Sequence, residues 1–326
     1  VAVTGGVKGE GLAPWDLARL RPLLTQRVTE PDVRVVAVGN GLAGVPMPRA
    51  GDTGLVFLED TARPEVVPPG VSWLAGSGWC RDVLRGWGLE AGVFRQGVDP
   101  AVFCPGPRPR LFPDHWPVVF SGGKLEYRKG QDIVVATFRR LLERYPKALL
   151  LTAWGNLWPQ TVRGIESAGH VGSVPRETSP GGLTVWLASE GVPAGHHHDV
   201  GMVSSLSLAY YLRAADVAVF PNRCEGGTNL VAQECLAVGV PTVLSRGTGH
   251  LDLIEAPSAT FVKGVGIDRP PAPWRGAEGW VECDPDKVAE AVGDLLESPF
   301  SSRQPWHLDW DDAARAILDH ATVGVA

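Results

Sequence analysis

Residues 118–130 read VVFSGGKLEYRKG, and a helical pattern begins directly after them at Gln131. An apolar strand that breaks into Ser121-Gly122-Gly123 and then enters a helix is the working half of a β-α-β unit. Glycines at such a break let backbone N–H groups come close to an anion. The helix that follows adds its dipole, and Lys124 and Lys129 add formal charge. The Walker A spacing G-x-x-x-x-G-K-[ST] does not occur, so this is a different anion loop.

The same grammar runs outward from this segment. Short apolar runs at 33–38, 54–58, 71–75, 117–120, 148–153, 217–221 and 241–244 predict strands. Helix-like stretches at 15–26, 80–87, 131–145, 207–214, 230–237 and 285–297 lie between them. Strands without polar alternation predict burial on both faces, hence parallel sheets of the α/β doubly wound class. Five prolines in residues 104–117 can sustain neither a helix nor a central strand, and they predict a linker between two domains. Residues 265–279 read as a surface loop. Residues 156–200 read as a weakly patterned insertion with short helices near 160–168 and 183–189.

A second chemistry-bearing stretch is 209–254, AYYLRAADVAVFPNRCEGGTNLVAQECLAVGVPTVLSRGTGHLDLI. A strand ends at Pro221, and Glu225-Gly226-Gly227-Thr228-Asn229 leads into a helix at Leu230. Thr228 or Asn229 can cap that helix, leaving amides beside two glycines as a phosphate site. Glu234 falls on the same side as Gly227 and Leu230, where a carboxylate can accept from the vicinal hydroxyls of a ribose. Glu225, on the loop before the helix, can do the same for a sugar ring.

Together the two stretches resemble the donor half of GT-B glycosyltransferases of the GT4 type, the group 1 glycosyl transferases. The family pattern G-[RK]-L-x-x-x-K-G is matched by Gly123-Lys124-Leu125 and Lys129-Gly130. A-D-V-x-x-x-P, E-G and E-[AC]-[ML]-A-x-G-x-P are matched by Ala215-Asp216-Val217, Pro221, Glu225-Gly226 and Glu234-Cys235-Leu236-Ala237 through Pro241. The Gly249-His250 turn fits as well. Upstream, Gly76-Ser77-Gly78-Trp79 and Gln96-Gly97-Val98-Asp99-Pro100 resemble the family's exit from its first domain. Downstream, Trp310-Asp311-Asp312 resembles the start of its last helix.

The resemblance implies two Rossmann-like doubly wound domains facing across a cleft, the first unusually short: 1–106 on the acceptor side, 107–305 binding the nucleotide sugar, and a helix in 306–326 crossing back. It implies a nucleotide-sugar donor, a carbohydrate or other hydroxyl acceptor, retention of configuration, and no metal or other cofactor. Gly122, Gly123, Lys124, Lys129, Gly226, Gly227, Thr228, Asn229 and Leu230 would hold the diphosphate and sugar. Glu225 would meet the transferred sugar, Glu234 the ribose, and the backbone of Gly201, Met202 and Val203 the base.

The chain departs from the pattern in three ways. Eight residues separate Glu225 from Glu234 where the family has seven. Lys124 stands where an arginine is common, losing bidentate geometry. The first half holds no histidine before His115, although the family often sets one beside the donor sugar. Glu59 and Asp60, directly after the run 54–58, are the substitutes expected to face the cleft and to steer or deprotonate an acceptor hydroxyl. Gly5, Gly6, Gly9 and Gly11 can line the cleft from the same side, although their order does not fit a dinucleotide fingerprint. The run His196-His197-His198-Asp199 reads as a loop, because adjacent residues cannot all face one metal ion.

Composition narrows the class. A formal charge of −6 and a single small basic cluster exclude a nucleic-acid surface. Five scattered cysteines without C-x-x-C predict free thiols in a reducing cytoplasm. No apolar run reaches the roughly 18 residues of a spanning helix, and residues 1–11 do not read as a signal peptide, which leaves peripheral membrane contact through one amphipathic face. The competing readings are a non-catalytic nucleotide- or glycan-binding subunit and a sugar-nucleotide epimerase or hydrolase on the same fold.

Overall fold

The computed structural model describes residues 2–3, 34–38, 48–114, 116–158, 161–298 and 304–323. The helix expected at 15–26, the Gly5–Gly11 cluster and His115 lie outside the described residues. Two parallel sheets organise the rest. The first runs in chain order: β1 (Ala2–Val3), β2 (Arg34–Val38), β3 (Thr53–Val56), β4 (Ser72–Ala75) and β5 (Ala91–Val93). Helix α1 (Gly78–Gly86) follows β4, with the Ser77 hydroxyl accepting from Cys80 N as its N-cap.

The second sheet holds β6 (Val118–Lys124), β7 (Leu149–Gly155), β8 (His197–Asp199), β9 (Val217–Phe220), β10 (Thr242–Ser245) and β11 (Ala259–Val262), in the spatial order β11-β10-β9-β6-β7-β8, all parallel. Helices α2 (Gln131–Arg144), α3 (Pro180–Ser189), α4 (Ser205–Leu212), α5 (Leu230–Val238) and α6 (Pro285–Glu297) connect and cover it. The uninterrupted apolar runs have their expected cause. In β6 and β9, Val119, Val217 and Val219 enter one core with Ile133, Phe138, Val288 and Val292 of α2 and α6. Their neighbours Val118, Phe120, Ala218 and Phe220 enter the opposite core with Leu212 and Leu236 of α4 and α5.

Helix α7 (Trp310–Val323) packs on the first sheet. Trp310, Ala313, Ala314 and Ile317 share a core with Leu55, Leu74 and Phe94, while α1 covers the other face through Cys80, Val83 and Leu84. Gly97 permits the return, because a Cβ there would stand 2.3 Å from the Trp310 amide nitrogen. Residues 104–117 carry no helix or strand among the described residues, and Arg108 anchors them by an ion pair to Asp216, just before β9.

Two expectations need correction. The run 197–199, read as part of a loop, is edge strand β8. Its sequence has no strand pattern, but His197 Nε2 bonds Thr152 Oγ1 at 2.9 Å and Asp199 Oδ1 accepts from Trp154 N at 3.1 Å, so partners on β7 fix it. Residues 265–279, read as a surface loop, include short strand β12 (Val265–Gly266), paired with β13 (Val281–Glu282). They also bury Trp274 and Ala277 in a small core with Tyr127, Cys224 and Trp280. Two indoles outweigh the prolines and glycines around them.

Order decides where a ligand can sit. In an open parallel sheet, the crevice forms at the carboxyl ends of strands where the winding reverses. In the second sheet that reversal falls between β6 and β9. The end of β6 and the loop after it carry Lys124–Lys129, and the loop after β9 carries Asn222–Asn229, the two stretches that stood out in the sequence.

Candidate active site

The loop after β6 turns through a short 3-10 segment, Tyr127–Lys129, and enters α2 at Gly130 with φ 68°. A Cβ there would stand 2.5 Å from the carbonyl oxygen of Pro221, the residue after β9, so only glycine lets the two loops close up. Lys129 Nζ lies 2.5 Å from Glu225 Oε2, and Asn222 Nδ2 donates to the same oxygen at 2.9 Å. Burial alone would raise the Glu225 carboxyl, but Lys129 and then Arg128 outweigh it and hold it at about 2.

Around this pair stands a balanced set of charges. Arg128, 4% exposed, meets Glu126 at 2.7 Å, Glu225 at 3.7 Å and Glu59 in a close ion pair. Lys124 meets Glu126 at 3.0 Å and Glu59 at 3.5 Å, with its ammonium 5.2 Å from the Trp158 ring centroid. Three cations thus face three carboxylates, one of which, Glu59, comes from the first sheet. Desolvation pushes the Glu59 carboxyl up, yet Arg128 and Lys124 bring it below its usual range.

The glycine turn is met from the same side. A Cβ on Gly226 would lie 2.0 Å from the Leu58 carbonyl oxygen, and one on Gly227 would lie 3.2 Å from the Phe57 ring. Ser77 Oγ donates to Gly226 O at 2.8 Å, so the serine that caps α1 also ties the halves together. Gln233 Nε2 reaches Gln96 O at 3.1 Å, and Asp252 accepts from Gly78 N and Arg95 Nε at 3.0 and 2.9 Å.

Asn229, with φ 61°, caps α5 by accepting from Ala232 N at 3.3 Å. Its Nδ2 therefore faces His250 Nε2 at 2.9 Å as a donor, which assigns His250 the Nδ1–H tautomer. That proton goes to Ser245 Oγ at 3.0 Å, and the serine donates to Asn222 O at 2.6 Å. Since Asn222 holds Glu225, the helix cap and the acid are joined through one neutral histidine. Thr248 Oγ1 accepts from Glu225 N at 2.8 Å and completes the cradle.

Burial lowers both His250 and His197 to about 4. The unfolded chain takes up these protons near 6.5 and the folded chain only near 4, so stability is full above about pH 6.5 and falls as pH drops towards 4. By about pH 5 each histidine should cost up to about 2 kcal/mol. Urea midpoints measured from about pH 7.5 to 5 should fall, and His250→Gln should flatten the slope. A flat wild-type profile would mean that these rings are not buried as described.

The other expected residues divide clearly. Gly122 and Gly123 lie at the end of β6, Thr228 Oγ1 accepts from Gln233 at 2.5 Å, and Leu230 and Glu234 lie on α5, with Glu234 buried. Gly201, Met202 and Val203 follow β8 at the same edge of the sheet, and Met202 is 73% exposed over Gly155 at the end of β7. Asp60 does not join the cluster. Its Oδ1 accepts from Ala62 N and Gly276 N, and its Oδ2 from Arg275 N, at 2.8–2.9 Å. That carboxylate staples the 265–279 segment through three amides.

Sequence reading singled out neither Arg128, Glu126, Asn222 nor Trp158. Arg128 sat in the quoted basic run, but its partner Glu59 is 69 positions away. Among the described residues, Asp132, His170 and Glu282 bring ligand atoms within 4.8 Å of one another. A cation already occupies that group: Arg223 donates to Asp132 at 2.8 and 2.6 Å and to Glu282 at 2.9 Å. All five cysteines are free thiols. No described helix is long and apolar enough to cross a membrane.

Comparison with known proteins bears on this geometry. The model of a family described as glycosyl transferases group 1 matches residues 117–298. A D-inositol 3-phosphate glycosyltransferase of Xylanimonas cellulosilytica is 27% identical over 316 residues, 96% of this chain and 63% of that protein. A GDP-mannose-dependent alpha-(1-6)-phosphatidylinositol monomannoside mannosyltransferase of Mycolicibacterium smegmatis is 28% identical over 220 residues, 62% of this chain and 46% of that one. The chain thus spans under two thirds of either relative. Among solved structures, a sucrose-phosphate synthase from Thermosynechococcus elongatus aligns with a TM-score of 0.58 at 16% identity, covering 94% of this chain and 72% of its own. A UDP-forming alpha,alpha-trehalose-phosphate synthase from Burkholderia xenovorans gives 0.56 at 16%, covering 95% and 74%. At such identity these two speak to the fold alone, and the fold is the GT-B arrangement.

Proposed function

The chain belongs to the glycosyl transferases group 1 family, and from that membership we propose that it moves a sugar from a UDP- or GDP-sugar to a hydroxyl acceptor, with retention and without a metal ion. The observation that carries the reading is the Lys129–Glu225 ion pair, which joins the loops after β6 and β9 at the reversal point of the second sheet. Lys124, Lys129 and the amides from Gly226 to Asn229 receive the diphosphate, Glu225 the sugar and Glu234 the ribose. The backbone at Gly201–Val203 receives the base. As the nucleotide leaves it gains negative charge, and fixed cations aimed at it stabilise the transition state more than the ground state. The first domain is taken as 1–106, the donor domain as 107–305 and the return helix within 306–326, in a cytoplasmic enzyme.

A site with balanced charges has little net pull on a diphosphate. Donor entry therefore requires Glu59 to leave Arg128 and Lys124, and Leu58 to leave Gly226, so the first sheet must withdraw before it closes again over substrate. Glu59→Gln should tighten UDP or GDP binding about tenfold by removing a charge-assisted competitor. Titration calorimetry reads this directly, and unchanged or weaker affinity would contradict the displacement.

The experiment for the function is a thermal-shift panel of UDP-, GDP- and TDP-sugars followed by product analysis with the donor that stabilises. A shift with sugar transferred to an added acceptor supports the reading. One rival is a subunit that binds nucleotide without turnover, motivated by the absence of a histidine before His115. Tight binding with no product across a broad acceptor set would establish it.

A further inference from the structure

Behind the segment that carries Glu59, the first sheet encloses a cavity of about 210 Å³. Val56 and Leu58, Trp73 of β4, and Leu84, Trp87 and Leu89 on and after α1 form its walls. Two of the polar groups there, Trp87 and Asp60, are already paired. Trp87 Nε1 donates to Thr61 O at 3.2 Å, and both Asp60 oxygens are held by backbone amides. A space walled mainly by aliphatic and indole carbon suits an apolar group better than a sugar ring. Apolar cavities of ~150 Å³ hold a benzene ring, so this one has room for a ring with a substituent, or a chain of roughly eight carbons.

Its position says what would carry that group. Pro273 and Arg275, from the half that bears the donor loops, close the cavity on one side. The cavity wall is therefore built from both halves. Leu58 lines the cavity while its carbonyl lies over Gly226, and Glu59 beside it reaches Arg128 and Lys124. The cavity and the proposed donor site therefore share one strap of chain. The geometry points to this cavity as the seat of the acceptor's apolar part, an aromatic ring or short aliphatic chain attached to a polar body that carries the reacting hydroxyl. The inference rests on the proposed transferase reading, of which it names the acceptor class. It also gives the closed strap a use, because an occupant pressing on Leu58 acts on the segment that covers the donor turn.

The test compares phenyl β-D-glucopyranoside with methyl β-D-glucopyranoside by titration into the intact chain, in the presence of UDP or GDP. The phenyl compound should bind at least tenfold more tightly, as burial of one ring predicts. Ala62→Trp and Val67→Trp, each partly exposed at the cavity, should both erase that difference and leave nucleotide affinity unchanged. Equal binding of the two glycosides overturns the assignment, as does a preference that survives both variants. Phenol binding as tightly as the phenyl glycoside overturns it in favour of a free effector. Failure of UDP and GDP to bind, with the aryl preference intact and sensitive to the variants, would sink the donor site and leave the cavity standing.

Discussion

Lys129→Ala is expected to lower kcat/KM by about 10²–10³-fold, the usual loss when one group aimed at developing negative charge is removed. The variant has a second effect that must be separated. Lys129 and Glu225 side chains are 13% and 9% exposed, and removing one member of a buried pair costs about 3 kcal/mol because the other is left charged and desolvated. Arg128, 3.7 Å from Glu225, recovers part of this. The double variant Lys129→Ala/Glu225→Gln removes both charges and should regain most of the lost stability. It should regain no activity, since both groups are assigned to the donor. Denaturation and turnover, measured on the single and double variants, give the answer. Recovery of the two together would make Lys129 a brace between loops and nothing more.

The largest loss of stability is expected from Arg223→Met. The guanidinium is wholly buried, stacked 4.0 Å over the Tyr127 ring, and bound to Asp132, Glu282 and the Tyr127 carbonyl. Its loss leaves Asp132, itself wholly buried, beside Glu282 with no cation between them. We expect about 3–5 kcal/mol and a fall in Tm of roughly 10 °C. Glu282 reports the same dependence: burial raises its carboxyl, but the hydrogen bonds from His170 and Arg223 hold it at about 2. Because Arg223 joins the 127–129 turn to the loop of Glu225, nucleotide affinity should weaken as well. A Tm within about 2 °C of wild type would mean that water replaces the guanidinium and that the network contributes little.

The parts of the fold that the sequence reveals are those whose cause is local. Val217–Phe220 reads as a strand because four consecutive apolar residues must find two cores, and it has them. The cap that Thr228 or Asn229 offers announces the start of α5, since a cap is chemistry between neighbours, and Asn229 is the residue that supplies it. The parts that were not legible depend on distant partners. His197–Asp199 becomes a strand only because β7 offers Thr152 and Trp154. Asp60, placed after β3, is held by amides 215 and 216 positions away. Arg128 gains its meaning from Glu59, and the covering of Gly226 by Leu58 has no trace in either motif. The lysines, the glycine turn, Glu225 and Glu59 were each legible as parts of the site, but Glu126 and the pairing of these carboxylates with the cations were not.

The central claim is that the loops leaving β6 and β9 form one diphosphate site in the second half of the chain. A crystal structure of the intact chain with UDP or GDP bound tests it most directly. The account predicts both phosphates within hydrogen-bonding or ion-pair distance of Lys124, Lys129 and the Gly226–Asn229 amides, with Glu59 no longer on Arg128. A nucleotide seated elsewhere, or one seated here with Glu59 and Leu58 unmoved, would contradict it.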